Sequence, residues 1–210
     1  MVTVLKQLKY AFTLMFHPFD GFWDLKHEKR GSLTAALIIV GLLCVQQIFK
    51  TQFTGFIYNP EYDGVSLNVL KEIAIVLGTF LLWCVANWSL TTLMNGEGSF
   101  KDIVMASAYA MAPFFIIGFP LIFLSNIMSE DYESFYYLLL YISIGWSALL
   151  MVSSVLVIHQ YTLGKTILTT VFIVVAMAVI IFLLLLFFNL ISQMVGFITG
   201  LYWEISLRFF

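Results

Sequence analysis

Histidines and cysteines are the side chains of this sequence best suited to bind metals or act as nucleophiles, and they are few. The histidines are His17, His27 and His159, and the cysteines are Cys44 and Cys84. Zinc sites and catalytic triads need such groups in defined clusters. The sequence contains no CxxC, HExxH, GxSxG or glycine-rich phosphate loop. We therefore expect no catalytic residue, no metal site and no cofactor, and we predict that the protein is not an enzyme.

Polar side chains inside long apolar runs are a second group of candidates. Asn87 and Tyr109 lie in such runs, where helices are commonly joined by hydrogen bonds worth roughly 0.6 kcal/mol on average. Transporters and channels usually carry ionisable residues within their membrane spans, and the apolar runs have none at mid-depth. We interpret Asn87 and Tyr109 first as residues that join helices, and Asn87 is also a candidate contact for a partner or for lipid. The alternative is a transport path lined by Asn87, Ser107 and Tyr109.

The elements that must position these residues are long uncharged segments. The 210-residue chain is 61% hydrophobic and 10% charged, whereas soluble domains carry about 25% charged residues. Continuous apolar runs indicate membrane helices rather than barrel strands, so the sequence predicts an all-α, polytopic membrane protein with about five transmembrane helices. Ser32 and Ser66 are the predicted N-caps of the first two spans. The predicted spans are residues 32–51, 69–94, 102–128, 134–158 and 166–190.

The third predicted span contains a tyrosine and two prolines within its apolar sequence. It begins with a turn at Gly96–Gly98 and with Ser99 as N-cap, followed three residues later by an aspartate that completes a variant capping box. Pro113 should kink the helix because it lacks an N–H and its ring clashes with the carbonyl of Tyr109, and Pro120 should repeat that effect. Small residues around Tyr109 let other helices approach. We therefore predict a thin, twice-kinked central helix whose structure depends on Ser99, Tyr109, Pro113 and Pro120.

Residues 1–30 form an approach segment before the first span. Apolar residues recur at helical spacing over residues 4–16, with two lysines on another face, which is the pattern of an interfacial amphipathic helix. Pro18 should end this helix. Phe22 and Trp23, on a second short helix, are expected to enter the lipid headgroup layer. The alternative is a helix that packs on the protein's own cytoplasmic surface.

The basic residues predict the orientation. With the N-terminus in the cytoplasm, seven Lys and Arg residues lie on the inner side and three on the outer side, as the positive-inside rule requires. We therefore predict a multi-pass protein of the cell membrane with a cytoplasmic N-terminus and an external C-terminus. The outer connections are then acidic, and they contain Glu61, Asp63, Glu130, Asp131 and Glu133.

The C-terminal tail, residues 191–210, continues a narrow stripe of polar and small residues. A GxxxG pattern such as Gly196–Gly200 permits close helix contact, and Glu204 and Arg208 can pair across one turn. The stripe could pack within the chain, or it could be a contact with a partner protein, with lipid or with a second copy of the chain. A sixth membrane element is a further alternative. The stripe consists of Asn189, Gln193, Gly196, Gly200, Glu204 and Arg208.

The junction between the fourth and fifth spans offers another candidate contact. His159 and Lys165 lie at its two ends and could bind a lipid phosphate or a partner's carboxylate. The alternative is that His159 only ends its span in the headgroup zone. No nucleic-acid partner is expected, because the net charge is −2 and no basic stripe is present.

Several of these motifs together resemble the Ypt-interacting protein (Yip) domain family. The resemblance rests on the glycine-rich turn before Ser99-Phe100-Lys101, on Tyr109 and Pro113, on the segment His159–Lys165, and on the sequence HPFDGFWDLKHEKRGS. It extends over essentially the whole chain. It implies a five-span bundle with a cytoplasmic N-terminus, which agrees with the charge distribution.

The resemblance also carries expectations about function. Eukaryotic members of this family act in vesicle traffic, bind small GTPases and shape membranes, and they have a long cytosolic N-terminal domain. The short approach segment of this chain is similar to the bacterial type, whose members are often associated with import systems. We therefore divide the chain into the approach segment 1–30, a five-helix Yip-like domain over 31–190 and a C-terminal helix over 191–210.

These observations favour a non-enzymatic membrane scaffold, or an accessory subunit of another membrane complex such as a solute (ABC-type) importer. Its expected partners are the lipid bilayer and a permease-type integral membrane protein. The alternatives are a small transporter or channel gated by the kinked third helix, and a membrane-shaping protein whose N-terminal helix inserts into one leaflet.

Overall fold

A computed structural model describes residues 2–59 and 68–209, without the side chains of residues 2, 3, 205 and 207–209. The described residues form eight α-helices and no strand. The helices are α1 Val2–Phe16, α2 Pro18–His27, α3 Leu33–Phe53, α4 Val69–Leu93, α5 Phe100–Ala110, α6 Ala112–Leu124, α7 Glu133–His159 and α8 Leu163–Phe209. Short 3-10 turns at Phe56–Tyr58 and Glu130–Tyr132 lie in the connections before α4 and α7.

Five segments of the described chain are long and apolar enough to cross a membrane. They are α3, α4, the pair α5 and α6, α7, and α8. The predicted all-α, multi-pass architecture is therefore confirmed. Most bounds differ from the predicted spans by only a few residues. The last differs greatly, because α8 continues without interruption to Phe209.

Polar side chains begin three of the spanning helices. The Ser32 hydroxyl accepts a backbone N–H at the start of α3, and Ser99 with Asp102 forms the complete capping box of α5. Both caps were predicted. Asn68 caps α4 in the same way. The other predicted cap, Ser66, lies outside the described residues.

The bundle has two ends of different charge. The α4–α5 and α7–α8 turns meet at one end, which we call the basic end. At the opposite end, the Gly55 N–H donates to Ser125 Oγ at 2.8 Å and Asn126 Nδ2 donates to Phe53 O at 2.7 Å, which ties the end of α3 to the end of α6. Glu61 and Asp63, predicted to lie there, are outside the described residues. The basic end includes Lys26, Lys29, Arg30, Lys101 and Lys165.

The helix α5 occupies the centre of the bundle. Every residue from Ile103 to Ala110 is buried, and Tyr109 is the largest fully buried side chain. Its neighbours include α3, α4, α7 and the N-terminal helices, and α3, α7 and the N-terminal helices supply most of the remaining side chains of the main core. Alanines at positions 106, 108 and 110 leave room for these helices to approach on several sides.

The approach segment folds into two helices that pack on the other helices of the bundle. One face of α1 and of α2 is buried in the core through Ala11, Leu14, Met15, Phe22 and Leu25. The expectation that Phe22 enters the headgroup layer is therefore wrong, because Phe22 shares the buried face of α2 with Leu25 one turn later. Trp23 points away from that face and is about half exposed.

Candidate functional site

The central helix is interrupted between Tyr109 and Pro113. Met111 alone separates α5 from α6, and Pro113 is in the first turn of α6, where its missing N–H removes no helical hydrogen bond. The N–H of Phe114 is also too early to bond within α6. It donates instead to Ser147 Oγ of α7 at 3.1 Å. The interruption is thus sealed by a neighbouring helix, as a backbone group in lipid requires.

Pro120 lies inside α6, and the helix continues past it to Leu124. The kink expected at Pro120 stays a prediction. A single proline removes one hydrogen bond, and the surrounding residues keep theirs. The nearby Gly118 lets α3 approach, because a Cβ at this position would clash with the side chain of Gln46. Gln46 Nε2 donates to Phe114 O at 3.3 Å and links α3 to α6.

Tyr109 and Ser107 join helices within the core. The Tyr109 hydroxyl donates to Gln7 O of α1 at 3.1 Å, and Trp83 Nε1 of α4 donates to Ser107 Oγ at 3.1 Å. The ring of Tyr10 meets that of Tyr109 edge to face, with centroids 6.4 Å apart. Both candidate path residues are therefore used to hold α1 and α4 against α5.

Asn87 was a candidate contact for a partner or for lipid, and the structure corrects this interpretation. Its side chain is buried in α4, and its Oδ1 has no hydrogen-bond partner within residues 2–59 and 68–209. Thr91 Oγ1 donates to Asn87 O at 2.7 Å, one turn nearer the basic end. A buried amide faces neither lipid nor a docked protein.

His159 is likewise inside the protein, so it is not a surface ligand for a lipid phosphate. Its ring is 2% exposed, and its Nδ1 accepts the N–H of Gly98 at 3.3 Å. A Cβ at Gly96 or Gly98 would lie 2.5 Å or 2.7 Å from atoms of this ring. The two glycines therefore allow the α4–α5 turn to close over His159. Its Nε2 has no partner in the part of the chain that the structure describes.

Tyr161 and Lys165 complete this junction. The Tyr161 hydroxyl donates to Met94 O at 3.2 Å, and burial raises the pKa of Tyr161, so the hydroxyl remains a donor at neutral pH. Lys165 Nζ donates to the same carbonyl at 2.8 Å and lies 3.9 Å from the centroid of the Tyr161 ring. The junction thus joins the α4–α5 turn to the α7–α8 turn. Its chemistry is that of a structural clamp.

Two anchoring residues of α1 were not predicted from the sequence. Gln7 accepts hydrogen bonds from Tyr109 at its carbonyl and from Ser32 Oγ at its Oε1, the latter at 2.7 Å. Trp146 Nε1 of α7 donates to Met15 O at 3.3 Å. The sequence carries no signal for these contacts, because the acceptors are mostly backbone carbonyls that every residue has.

The second half of α8 is the most exposed part of the described chain. A Cβ at Gly196 or Gly200 would meet no atom within 4 Å, and Gln193 Nε2 donates to Asn189 Oδ1 at 3.0 Å within the same helix. Glu204 is exposed. The side chain of Arg208 is outside the described residues, so its pairing with Glu204 stays a prediction.

Among the described residues, no group of three or more His, Cys, Asp or Glu side chains could hold a metal ion. Cys44 and Cys84 are free thiols, and both are buried. Such thiols pack as small hydrophobic side chains.

Comparison with known proteins assigns the chain to a family. The model of the Yip1 domain matches residues 12–185 and therefore covers α2 to α7 with parts of α1 and α8. No curated protein and no solved structure matches the chain. The matched region contains the capping box at Ser99, the interruption before Pro113 and the His159 junction. The chain is a multi-pass membrane protein that belongs to the Yip1 domain family.

Proposed function

We propose that this protein is a non-enzymatic membrane scaffold, an accessory subunit that binds another integral membrane protein through the second half of α8. The observation that carries the proposal is the exposure of residues 186–204. Apolar side chains on every side of this stretch, including Phe187, Phe197 and Trp203, are more than half exposed. A surface of this kind marks an interaction site or a membrane contact.

The length of α8 supports the proposal. The helix has 47 residues, which gives about 70 Å, whereas the hydrocarbon layer is about 30 Å thick. Contacts with α4 and α7 use only its first part, in which Ile173 is the last fully buried residue. One crossing therefore accommodates about half of the apolar length. The other half needs a further apolar environment.

The pattern of the second half indicates what kind of partner fits. Apolar side chains offer no preference for another helix over lipid, so helices in a membrane associate through small residues and hydrogen bonds. Gly196 and Gly200 are on one face with Asn189 and Gln193, and this face is open. A transmembrane helix of another protein can approach closely along it, while the remaining faces contact acyl chains.

Purification from the native host in mild detergent tests the proposal. We expect a second integral membrane protein to be recovered in stoichiometric amount and to be identified by mass spectrometry; a permease or an importer subunit would name the complex. The double variant Gly196→Leu, Gly200→Leu should reduce this recovery at least about tenfold, because leucines block the close approach. The matched control Ile198→Phe adds bulk to the opposite face of α8 and should leave the recovery of the partner unchanged.

Two results would contradict the proposal. Equal recovery with the leucine variant would mean that the partner binds elsewhere. A homogeneous assembly of this chain alone, lost in the leucine variant, would mean that the stripe joins copies of the same protein.

A further inference from the structure

The helix α1 reaches the middle of the bundle although it begins at the basic end. Gln7, near its start, contacts Ser32 at the beginning of α3 and Tyr109 of α5. At its other end, Met15 accepts the hydrogen bond from Trp146. Trp146 is the central residue of α7, so it lies about 20 Å from either end of that helix. The helix α1 therefore runs from the basic end to mid-depth.

The helix α2 returns to the basic end. The Tyr10 hydroxyl donates to Gly21 O at 2.8 Å, and Gly21 packs directly on the backbone of α1, so the two helices are antiparallel neighbours. Lys26 Nζ then donates to Ile158 O at 2.9 Å, one residue before α7 ends. The turn at His17–Pro18 is consequently the deepest part of this hairpin.

The exposed surface of the hairpin is divided lengthwise. On a helical wheel of α1, the residues that contact α2, Tyr10 and Leu14, lie next to the polar side chains of α1 and opposite its aromatic side chains. On a helical wheel of α2, Gly21, which contacts α1, also lies on the polar side and opposite the aromatic side chains of α2. Polar residues of both helices thus lie along the line where α1 and α2 meet, and we call this line the polar seam: Lys6, Lys9, Thr13, His17 and Asp20, all exposed. The aromatic flank consists of Leu5, Phe12, Phe16, Phe19 and Trp23, all exposed as well.

The polar seam cannot face hydrocarbon at this depth. Asp20 is one turn from the deepest part of the hairpin, and a charged carboxylate near the bilayer centre is strongly unfavourable unless water or a counter-charge reaches it. Lysine side chains are long enough to extend toward the headgroups, but an aspartate is too short. Asp20 and the adjacent His17 therefore need water at mid-depth.

We infer that the α1–α2 hairpin is a re-entrant element whose polar seam is hydrated from the basic end. Water enters from the side that the positive-inside rule assigns to the cytoplasm and reaches the level of His17 and Asp20. The aromatic flank contacts acyl chains along the same depth. The hairpin thereby gives protons and small ions from one side of the membrane access to two ionisable groups at mid-depth on the surface of the bundle.

The depth of α1 is tested with nitroxide labels. Leu5→Cys and Phe16→Cys, each in a chain with Cys44→Ala and Cys84→Ala, are labelled and reconstituted into phosphatidylcholine vesicles. Both positions are exposed on the aromatic flank. Power saturation with oxygen and a water-soluble nickel chelate should place the label at position 16 deeper by about 15 Å. Equal depths would mean that α1 lies along the membrane surface, and the inference would be wrong.

Hydration of the seam is tested with thiol chemistry at neighbouring positions. Thr13→Cys and Asp20→Cys are on the seam, and Phe12→Cys and Phe19→Cys are their controls on the aromatic flank. A charged, membrane-impermeant thiosulfonate is added to the basic-end side of the same vesicles. Because the thiolate forms in water, we expect the seam cysteines to react at least about tenfold faster than the controls.

Two outcomes of the thiol experiment would overturn the inference. Seam cysteines that react as slowly as the controls, while all four react rapidly after solubilisation in detergent, would show that water does not follow the seam. Equally rapid reaction at all four positions in vesicles would show that the whole hairpin is in water. All four side chains are exposed, so these substitutions leave the core intact.

Discussion

The hairpin α1–α2 and the second half of α8 lie at opposite ends of the chain and are held in opposite ways. The hairpin contains charged residues along its length, yet one face is buried and hydrogen bonds from Tyr109 and Trp146 fix α1. The second half of α8 is far more apolar, yet its side chains from residue 186 to 204 are exposed. Apolar character alone therefore does not decide which segment joins the bundle.

The difference lies in shape and hydrogen bonding. Gly21 allows α1 and α2 to touch, and Tyr109 and Trp146 supply donors for carbonyls of α1. In a membrane such features are what favour contact between two helices over contact with lipid. The stripe of α8 has the same kind of residues, including Gly196 and Gly200, but nothing in the described part of the chain would lie within 4 Å of a Cβ at these two glycines. We interpret the hairpin as a completed contact within the chain and the stripe as the surface of the proposed contact with a partner.

A pair of leucines should show the largest difference between the two regions. Leu14 is fully buried in α1, whereas Leu190 is 60% exposed in α8. Leu14→Ala should destabilise the protein by about 2–5 kcal/mol, because it leaves a cavity in the core. Leu190→Ala should change the free energy of unfolding by less than about 0.5 kcal/mol. Steric-trapping unfolding in bicelles measures both, and similar values for the two variants would contradict the comparison.

A pair of glycines should give the next largest effect. A Cβ at Gly21 would lie 3.0 Å from Leu14 Cα, whereas Gly196 faces open space. Gly21→Ala should therefore cost about 1–3 kcal/mol of stability, because α1 and α2 must separate. Gly196→Ala should instead stabilise the isolated chain by up to about 1 kcal/mol, since alanine is the better helix former. The same unfolding measurement applies, and a destabilised Gly196→Ala variant would mean that α8 already packs within the chain.

Removing single hydrogen bonds from α1 should have a smaller effect. Trp146→Phe and Tyr109→Phe each delete one donor to α1 while keeping an aromatic ring, so each should cost about 1 kcal/mol. Hydrogen exchange of the α1 amides in nanodiscs should increase in both variants. Trp203→Phe in the exposed part of α8 is the matched control. Unchanged hydrogen exchange of the α1 amides in all three variants would mean that these two hydrogen bonds do not hold α1 in place.

The smallest effect on stability is expected at the turn between α7 and α8. Gln160 ends α7 with a φ of 54°, in the left-handed region that glycine adopts without strain. Gln160→Gly should therefore stabilise the protein by a few tenths of a kcal/mol, although the added freedom of the unfolded chain offsets part of the gain. A small rise in Tm is the expected readout, and a fall would mean that the glutamine side chain has another role in this turn.

Much of the fold could be predicted from the sequence because its signals are local. Hydropathy identifies the spanning helices, and the caps at Ser32 and Ser99 need only residues three positions away. The interruption before Pro113 follows from the covalent structure of proline. At Pro120 the helix α6 continues, because one missing hydrogen bond does not interrupt a helix whose other bonds persist.

The candidate contacts were harder to predict, because burial depends on residues distant in the chain. His159 resembles an ordinary interfacial residue until Gly96 and Gly98 are seen to close over it. Phe22 and Trp23 are adjacent and both aromatic, and only the docking of α2 decides that one is buried and the other exposed. The burial of Asn87 was equally hard to predict, because no pattern around it shows which face of α4 meets the core.

Site-specific photo-cross-linking in native membranes tests most directly whether the stripe of α8 binds a partner. A photoreactive amino acid is placed at Gly200 on the stripe, and at Ile198 on the opposite face as the control. We expect position 200 to give one discrete cross-link to another integral membrane protein, and position 198 to react with lipid. A cross-link from position 200 to this chain itself, or equal lipid labelling at both positions, would contradict partner binding through α8.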